Sequence, residues 1–597
     1  MNPVIFPARH LNACAFAVAL LLAQSATADG ISGTQSITTD VGSASYDIGV
    51  VGTLSVITIA PSSGTTVNFA GDVFVVNGGP TTLVLGSKRA SVAGSLSTDG
   101  ANYGFTLTPN ATASTLVYSS TNLDVKDGTG TGKISTNDLV MSGGESFGLR
   151  FTGSLRHGAS FGLISSGNTI TGAGNQYSET ENGDGQISDN SYVIDSSVAV
   201  DGTGRNVVFT ASRSNDQYIS KSSTQGHFSN PAALTLGTIA KEGRQLGDMV
   251  TAINLLEIDS NGYGNNQGNL AVQVKRLAPI ANNAYLLSVL DASDRMLSGI
   301  DDRLSSLRGD VPTMKTAQKE TGWAKVYVNS AKQSGFDDYD AFKTSSNGVA
   351  FGIDHGLEHG WIGAALAVST TDIEQLGFRA GENATLNSQE ASIFGSAQWG
   401  ATYLDGILSA GKSLVSGWRS TAVGRIANTQ YRTNSTSVKA TLGHRIKLQD
   451  GKSVITPMFG MQTIQMDQPT YTETGAGDLG LIVDAQTYRR LRSTLGLRFN
   501  TESRIGDTPS YTSVYLAYSR DSGLDNTDVH ASYSGATDPQ YTSFTTTAAA
   551  LERNLFELGA GTTLTMSQSS SLQLRYDLQH RQSYNAQGVQ AKFLWKF

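Results

Sequence analysis

Cysteine is almost absent from this 597-residue sequence: the only one is Cys14. No disulfide can brace such a chain, whatever compartment it occupies. Charged residues make up only 15%, which does not suit a helical enzyme. The net charge of −8 removes the electrostatic reason to bind nucleic acid. Beyond the N-terminus there is no run of roughly 18 apolar residues, so no helix is expected to span a membrane. A membrane protein built this way has to be a β-barrel, whose strands are only weakly apolar one by one. What is abundant is glycine, 66 residues, with Ser, Thr and Asn throughout. That profile suits all-β structure with many turns, and the length allows two or three domains.

The N-terminus reads as a secretory signal. Arg9 and His10 give a weakly basic start, an apolar run follows from Ala13 to Ala23, and Ala26-Thr27-Ala28 is a small-residue cleavage site. The cut is expected between Ala28 and Asp29. Cys14 falls inside the signal and precedes the apolar run, which argues against a lipoprotein anchor. The mature chain then has no cysteine, and no disulfide-closed loop would jam a narrow export pore.

From Asp29 to Ser229 short strand-like runs alternate with turn signals. Leu54 to Ile59, Val73 to Val76, Thr82 to Leu85 and Asn206 to Phe209 are examples, and Asn77-Gly78-Gly79 is one of the turns. The spacing is irregular, with no strict repeat. A β-solenoid or an irregular β-sandwich would both read this way; the solenoid is the expectation carried forward. The texture changes at Asn230-Pro231, a helix cap followed by a first-turn proline. Leu234, Ile239, Leu246, Met249, Val250 and Ile253 then recur at helical spacing up to Leu256. A second helix is predicted from Pro279 to Arg308, with Leu286, Leu290, Leu297, Ile300, Leu304 and Leu307 on one stripe and Asp291, Asp294, Asp301 and Asp302 interleaved.

From Gly322 to Phe597 the period switches to two. Leu572, Leu574, Tyr576 and Leu578 alternate with Gln573, Arg575, Asp577 and Gln579; Leu491, Leu495 and Leu497 alternate with Arg490, Arg492 and Arg498. Ile362, Ala364, Leu366 and Val368 alternate with small residues. Lipid-facing and lumen-facing side chains of a barrel must alternate in this manner. Arg490, Arg492, Arg498 and Arg575 are therefore assigned to the lumen, with Lys439, Arg445 and Lys447 on another strand. Twelve such segments begin near residues 322, 347, 360, 388, 402, 434, 453, 482, 511, 552, 570 and 588. Their connections alternate in length. Residues 355–360, 400–401, 449–452 and 567–569 are tight, while 372–386, 416–432, 467–480 and 521–550 are long and polar. Outer-membrane barrels have short periplasmic turns and long external loops. The turn at 502–509 is longer than this scheme wants, and the loop near Ser583 is shorter.

These features together resemble the monomeric autotransporter family (type Va secretion). The final strand Gly588 to Phe597 resembles the terminal assembly strand of such barrels, with Val589, Phe593, Trp595 and Phe597 on its lipid face. Gly322-Trp323-Ala324-Lys325 resembles the family's first strand, Gly348 to Asp354 its second, and Arg276-Leu277-Ala278-Pro279 the motif ahead of its linker helix. The resemblance covers residues 230–597. It implies a signal peptide over 1–28, a β-rich passenger over 29–229, a helical junction over 230–278, a linker helix over 279–321 threading the lumen, and a twelve-stranded antiparallel transmembrane barrel over 322–597. A trimeric autotransporter contributes only a few strands per chain, and an ordinary porin needs no long segment ahead of its first strand. The partners it implies are the Sec translocon, the outer-membrane barrel assembly machinery and membrane lipid, with a host-cell or surface ligand for the passenger; the chain acts as a monomer and needs no cofactor.

Several motifs have a bland reading that outweighs the functional one. His355-Gly356-Leu357-Glu358-His359 has the spacing of a zinc site, but that site needs a helix and glycines bracket this one. Gly475 to Gly480 matches a dinucleotide fingerprint without a following helix. Residues 127–138 and 180–191 are faintly like calcium loops and lack several of the required acids. Arg308-Gly309-Asp310 suggests integrin binding but falls at the expected periplasmic mouth, and Asn282-Asn283 lies too far from the first strand for self-cleavage in the barrel. The passenger holds only His157 and His227 and no nucleophile motif, so adhesion or binding is expected ahead of hydrolysis or a pore role, and no catalytic residue is assigned.

Overall fold

A computed structural model describes residues 151–596, apart from 172–175, 179–186, 223–228, 244–246, 259–266, 309–319, 525–526, 536–542 and the single positions 152 and 337; ahead of residue 151 it describes the backbone of β-strands alone. The signal cleavage site at Ala28 and Asp29, His227 and Phe597 lie outside the described residues. The chain divides into two units. One holds residues 1–214 with 240–243 and 253–266, and the other holds 215–239, 244–252 and 267–597.

In the first unit the strands from Tyr46 to Asp189, apart from Gln176–Ser178, are short and pair in parallel, each with the third one along. Ser55–Ile59, Thr81–Leu85, Phe105–Pro109, Ile134–Thr136 and Ser160–Ser166 form one series. Thr66–Phe69, Arg89–Val92, Thr115–Tyr118 and Asp138–Met141 form a second. Tyr46–Ile48 through Ile187–Asp189 form a third. The series ends in an antiparallel cap, where Ser160–Ser166 pairs with Asn206–Ser212, which pairs with Asp195–Val200. Leu163, Val198, Val207 and Phe209 fill its interior. The buried pair Arg213–Glu257 closes it, with Arg213 also donating to the Leu155 carbonyl at 2.6 Å.

The helices are α1 (Gln217–Ser222), α2 (Asn230–Glu242), α3 (Asp248–Glu257), α4 (Gln267–Leu277) and α5 (Ala284–Leu307). The single helical stretch expected up to Leu256 is thus two helices. Gly243 and Gly247, at φ 66° and 55°, take the left-handed turn that breaks it. The long helix begins at Ala284 instead of Pro279. Asn283 is left-handed (φ 61°), and its side chain is committed to the Ala549 carbonyl at 2.7 Å. Periodicity gave no sign of α1 or α4.

The barrel strands are β1 (Glu320–Gln333), β2 (Phe342–Leu357), β3 (Gly360–Gln375), β4 (Asn383–Trp399), β5 (Thr402–Ser420), β6 (Ile426–His444), β7 (Ser453–Gln468), β8 (Gln486–Ile505), β9 (Thr508–Ser522), β10 (Asn554–Thr565), β11 (Ser570–Arg581) and β12 (Tyr584–Lys596). Each is antiparallel to its neighbours, and β12 closes the ring on β1 from Thr321↔Lys596 to Gln333↔Tyr584. Large apolar side chains such as Phe351, Leu366, Val368, Leu495 and Leu516 stand more than half exposed on the outer wall, and their strand neighbours are turned inward. That is the reverse of a soluble protein and the expected state of a wall facing lipid. Close strand approach inside is bought by glycine: a Cβ at Gly352 would lie 2.3 Å from the Trp323 ring, and one at Gly443 2.3 Å from the Tyr403 ring.

Two expected long loops are short. β3 and β4 run as paired strands through Thr371↔Leu386 to a turn at 376–382, and β5 and β6 turn at 421–425. Polar residues there continue the ladder past the apolar band, so the hydropathy pattern ended before the strands did. The 502–509 turn is tight, two residues wide, because Gly506 takes φ 60°. The loops after β7 and β9 are long and carry strands of their own, with Leu481–Val483 and Val529–Tyr533 pairing in a small four-stranded sheet.

Candidate functional site

Helix α5 runs inside the barrel, since its side chains meet inward-facing groups from strands on every side. Its apolar stripe and its acidic positions face different parts of the wall. Met296, Leu297, Ile300 and Leu304 pack with Trp323, Ala350, Ala365, Phe394, Ile407 and Leu594. Toward its N-terminus, Leu286, Val289 and Leu290 pack with Leu386, Val415, Tyr431, Ile464 and Tyr488. The apolar stripe is therefore covered by barrel strands and needs no second helix.

The acidic positions meet the basic strands. Asp294 accepts from Arg490 at 2.6 and 3.0 Å, from Arg492 at 2.9 Å and from Gln462 at 2.8 Å. Asp302 pairs with Arg498 at 3.3 Å and with Arg575, and Gln590 donates to it at 3.3 Å. Asp301 pairs with Lys439, and Asp291 accepts from Asn329 at 3.1 Å. The four arginines assigned to the lumen thus converge on two helix carboxylates: Arg490 and Arg492 on one, Arg498 and Arg575 on the other. Arg492 also binds Asp521, which Arg581 shares. Reasoning from strand parity alone placed Arg445 and Lys447 with them, but β6 ends at His444 and Lys447 is exposed.

Groups that the sequence did not assign to the lumen complete it. Arg303 binds Asp354 through two bonds of 2.8 Å, and Lys325 donates to the Arg295 carbonyl at 3.1 Å. Arg308 binds Asp405 at 2.5 Å and lies 3.7 Å from the Tyr403 ring centre. Its side chain is only 3% exposed, so the Arg308-Gly309-Asp310 motif does not present its arginine to a receptor. A free buried charge would cost several kcal/mol, so each of these pairs commits the helix to one depth and one rotation. Between helix and wall, cavities remain on the charged side: one of ≈ 90 Å³ beside Asp301 and Asp302, enough for a few waters, and one of ≈ 370 Å³ beside Asp291 and Arg581.

The other motifs take structural places. His355 lies two residues from the end of β2 and pairs with Glu320 at 3.8 Å, while His359 is exposed at the turn to β3. Gly477 to Leu479 form one short helical turn in an outer loop, where Asp478 accepts the Met249 N–H at 3.0 Å. Asp189 accepts the Ser191 N–H at 2.8 Å, and Asn190 clamps Phe151 by bonds of 2.6 and 3.0 Å. His157 accepts the Arg213 N–H at 3.1 Å. On the closing strand Val589 is 50% and Phe593 41% exposed to the outside, and the Phe593 and Trp595 rings stack at 5.9 Å.

A family model described as "Autotransporter beta-domain" matches residues 322–577. Among curated proteins the chain is similar to Outer membrane protein B of Rickettsia conorii, at 23% identity over 265 residues, and of Rickettsia prowazekii, at 27% over 173. The first match takes in 39% of this chain and 16% of the relative, so the chain spans a small part of the relatives it matches. Among solved structures it is similar to the translocator domain of the autotransporter NalP from Neisseria meningitidis, at 16% identity and TM-score 0.40, covering 51% of this chain and 98% of that one. The β-domain of the Bordetella autotransporter BrkA is similar at 17% identity and TM-score 0.36, covering 47% and 100%.

Proposed function

We propose that this chain, a member of the autotransporter family through its C-terminal β-domain and resident in the outer membrane, carries its own N-terminal passenger to the cell surface, and that the passenger is a binding module. The observation that carries the transport reading is the filled lumen: helix α5, which precedes the first strand in the chain, occupies the barrel and is held there by ion pairs with the wall. A chain that has just passed outward through a barrel leaves its last segment in that position. The same packing speaks against a standing open pore.

The route is the Sec translocon into the periplasm, then insertion of the β-domain by the barrel assembly machinery, then outward passage. The periplasm holds no ATP, so outward folding has to supply the pull. The passenger's parallel pairing, each strand with the third one along, supports reading it as a β-solenoid. Each newly emerged turn of a solenoid stacks on the last, so folding proceeds in step with emergence and needs no disulfide. A stacked coil presents an extended surface suited to contact, which favours adhesion over hydrolysis. Antibody raised against residues 29–229 should label intact cells, or find a released fragment in the medium. Labelling that requires permeabilised cells counts against transport.

A further inference from the structure

Two buried arginine–glutamate pairs stand at one rim of the barrel, apart from the lumen pairs. Arg379, in the turn between β3 and β4, binds Glu382 at 3.1 Å. Arg419, near the end of β5, binds Glu473 through two bonds of 2.7 Å. All four side chains are at most 4% exposed. Each guanidinium has N–H groups left over, and these point at backbone carbonyls. Arg379 donates to the Ala278 carbonyl at 2.7 Å, and Arg419 donates to the Arg276 carbonyl at 3.1 Å and that of Ala278 at 3.4 Å.

Those carbonyls end helix α4. The last carbonyls of a helix lack partners within it and carry its partial negative charge, so two guanidinium groups are a matched receptor for them. Side chains of α4 reach the same two turns. The Val423 N–H donates to Gln273 Oε1 at 2.6 Å. Lys275 and Arg276 lie 4.9 and 5.2 Å from the Phe378 ring centre. Glu382 also accepts the Ser420 N–H at 3.0 Å, which ties the two turns together. Val423 itself sits at φ 54°, a strained conformation for a β-branched residue that only a well-determined surrounding maintains.

We propose that this rim is a latch that recognises the C-terminal end of a helix, and that docking of α4 on it ends translocation and keeps the exported chain from sliding back. An extended chain in transit offers no convergent pair of unbonded carbonyls. Once α4 has left the lumen and coiled, it does. A docked helix about 10–12 Å wide then has to uncoil and strip both arginines before it can re-enter. Recognition runs mainly through backbone, so it suits whatever residues precede it in the exported chain. The inference rests on the reading that this segment is exported.

The test uses the full chain carrying Arg379→Gln and Arg419→Gln, with the heat-modifiable barrel checked first. The amides of α4 should exchange with deuterium about tenfold faster or more, the mark of a locally opened element. The share of passenger open to protease on intact cells should fall relative to the parent chain. Unchanged α4 exchange in a correctly assembled barrel overturns the latch. Should the double variant fail to assemble, Arg379→Gln alone removes the donor to the Ala278 carbonyl while leaving the Arg419–Glu473 pair in place, and it is expected to speed α4 exchange in the same direction; unchanged exchange there also overturns the latch. A parent chain whose passenger never reaches the surface defeats the transport reading instead.

Discussion

Asp294 lies 196 positions from Arg490 in sequence, and the two meet at 2.6 Å inside the barrel. Such a pair illustrates how individual residues set the helix in place. Opposite charges in a confined space attract more strongly than at an open surface, and losing one partner of a buried pair costs about 3–5 kcal/mol. Replacing Arg490, Arg492 and Arg498 by Glu turns three attractions into repulsions against Asp294 and Asp302. The expected result in planar bilayers is a conductance that flickers to larger values than the parent chain shows. Adding Asp294→Arg should quiet it in part, because the guanidinium introduced on the helix would face two of the carboxylates introduced on β8. A triple variant as silent as its parent would remove the arginines from the account. The sign of each lumen residue was legible from strand parity, as with Arg490, Arg492 and Arg498. Their partners were not, since parity says which wall a side chain faces and nothing about depth.

At the scale of elements, α5 behaves as an internal core for the barrel. Toward its C-terminus the apolar stripe lies on one arc of wall, through Phe394 and Ile407, while Asp301 and Asp302 meet Lys439, Arg498 and Arg575 on the opposite one. Deleting residues 279–308 from the full chain should therefore raise single-channel conductance, because nothing else among the described residues fills the lumen. Equal conductance with and without the segment would mean the helix does not block the pore. The sequence announced this helix through its spacing of three, four and seven. It did not reveal where the helix begins. Asn282 and Asn283 look like ordinary first-turn residues, yet their side chains are taken by Gln375 at 2.7 Å and by the Ala549 carbonyl at 2.7 Å. Nor did it disclose α4, whose eleven residues are held by contacts at the rim more than by their own pattern.

For the whole molecule, closure of the ring decides whether there is a barrel at all. β12 joins β1 across thirteen residue pairs, and its outer face carries Val589 and Phe593 with Trp595 at the edge of the band. Replacing Phe593 and Trp595 by Ser should leave little heat-modifiable barrel in outer membranes, since polar groups on the lipid face are unfavourable and the closing strand has to insert. Wild-type levels of that band would show the aromatic face to be dispensable.

All twelve strands, the wall that most of their side chains face and the existence of an amphipathic helix ahead of them were legible in the sequence alone. These are consequences of local periodicity, two residues for a strand in lipid and about 3.6 for a helix, and a few neighbours suffice to read them. Only the tertiary structure decided that the helix stripe passes from the β4–β8 arc of the wall to the β12–β5 arc, that Arg379 and Arg419 receive the end of α4, and that most strands from Tyr46 to Asp189 pair with the third one along. Those arrangements join groups tens to hundreds of residues apart. Nothing in a short window of sequence records which distant partner will satisfy a buried charge or a strand edge; closure of the barrel and parallel pairing of distant strands bring the partners together.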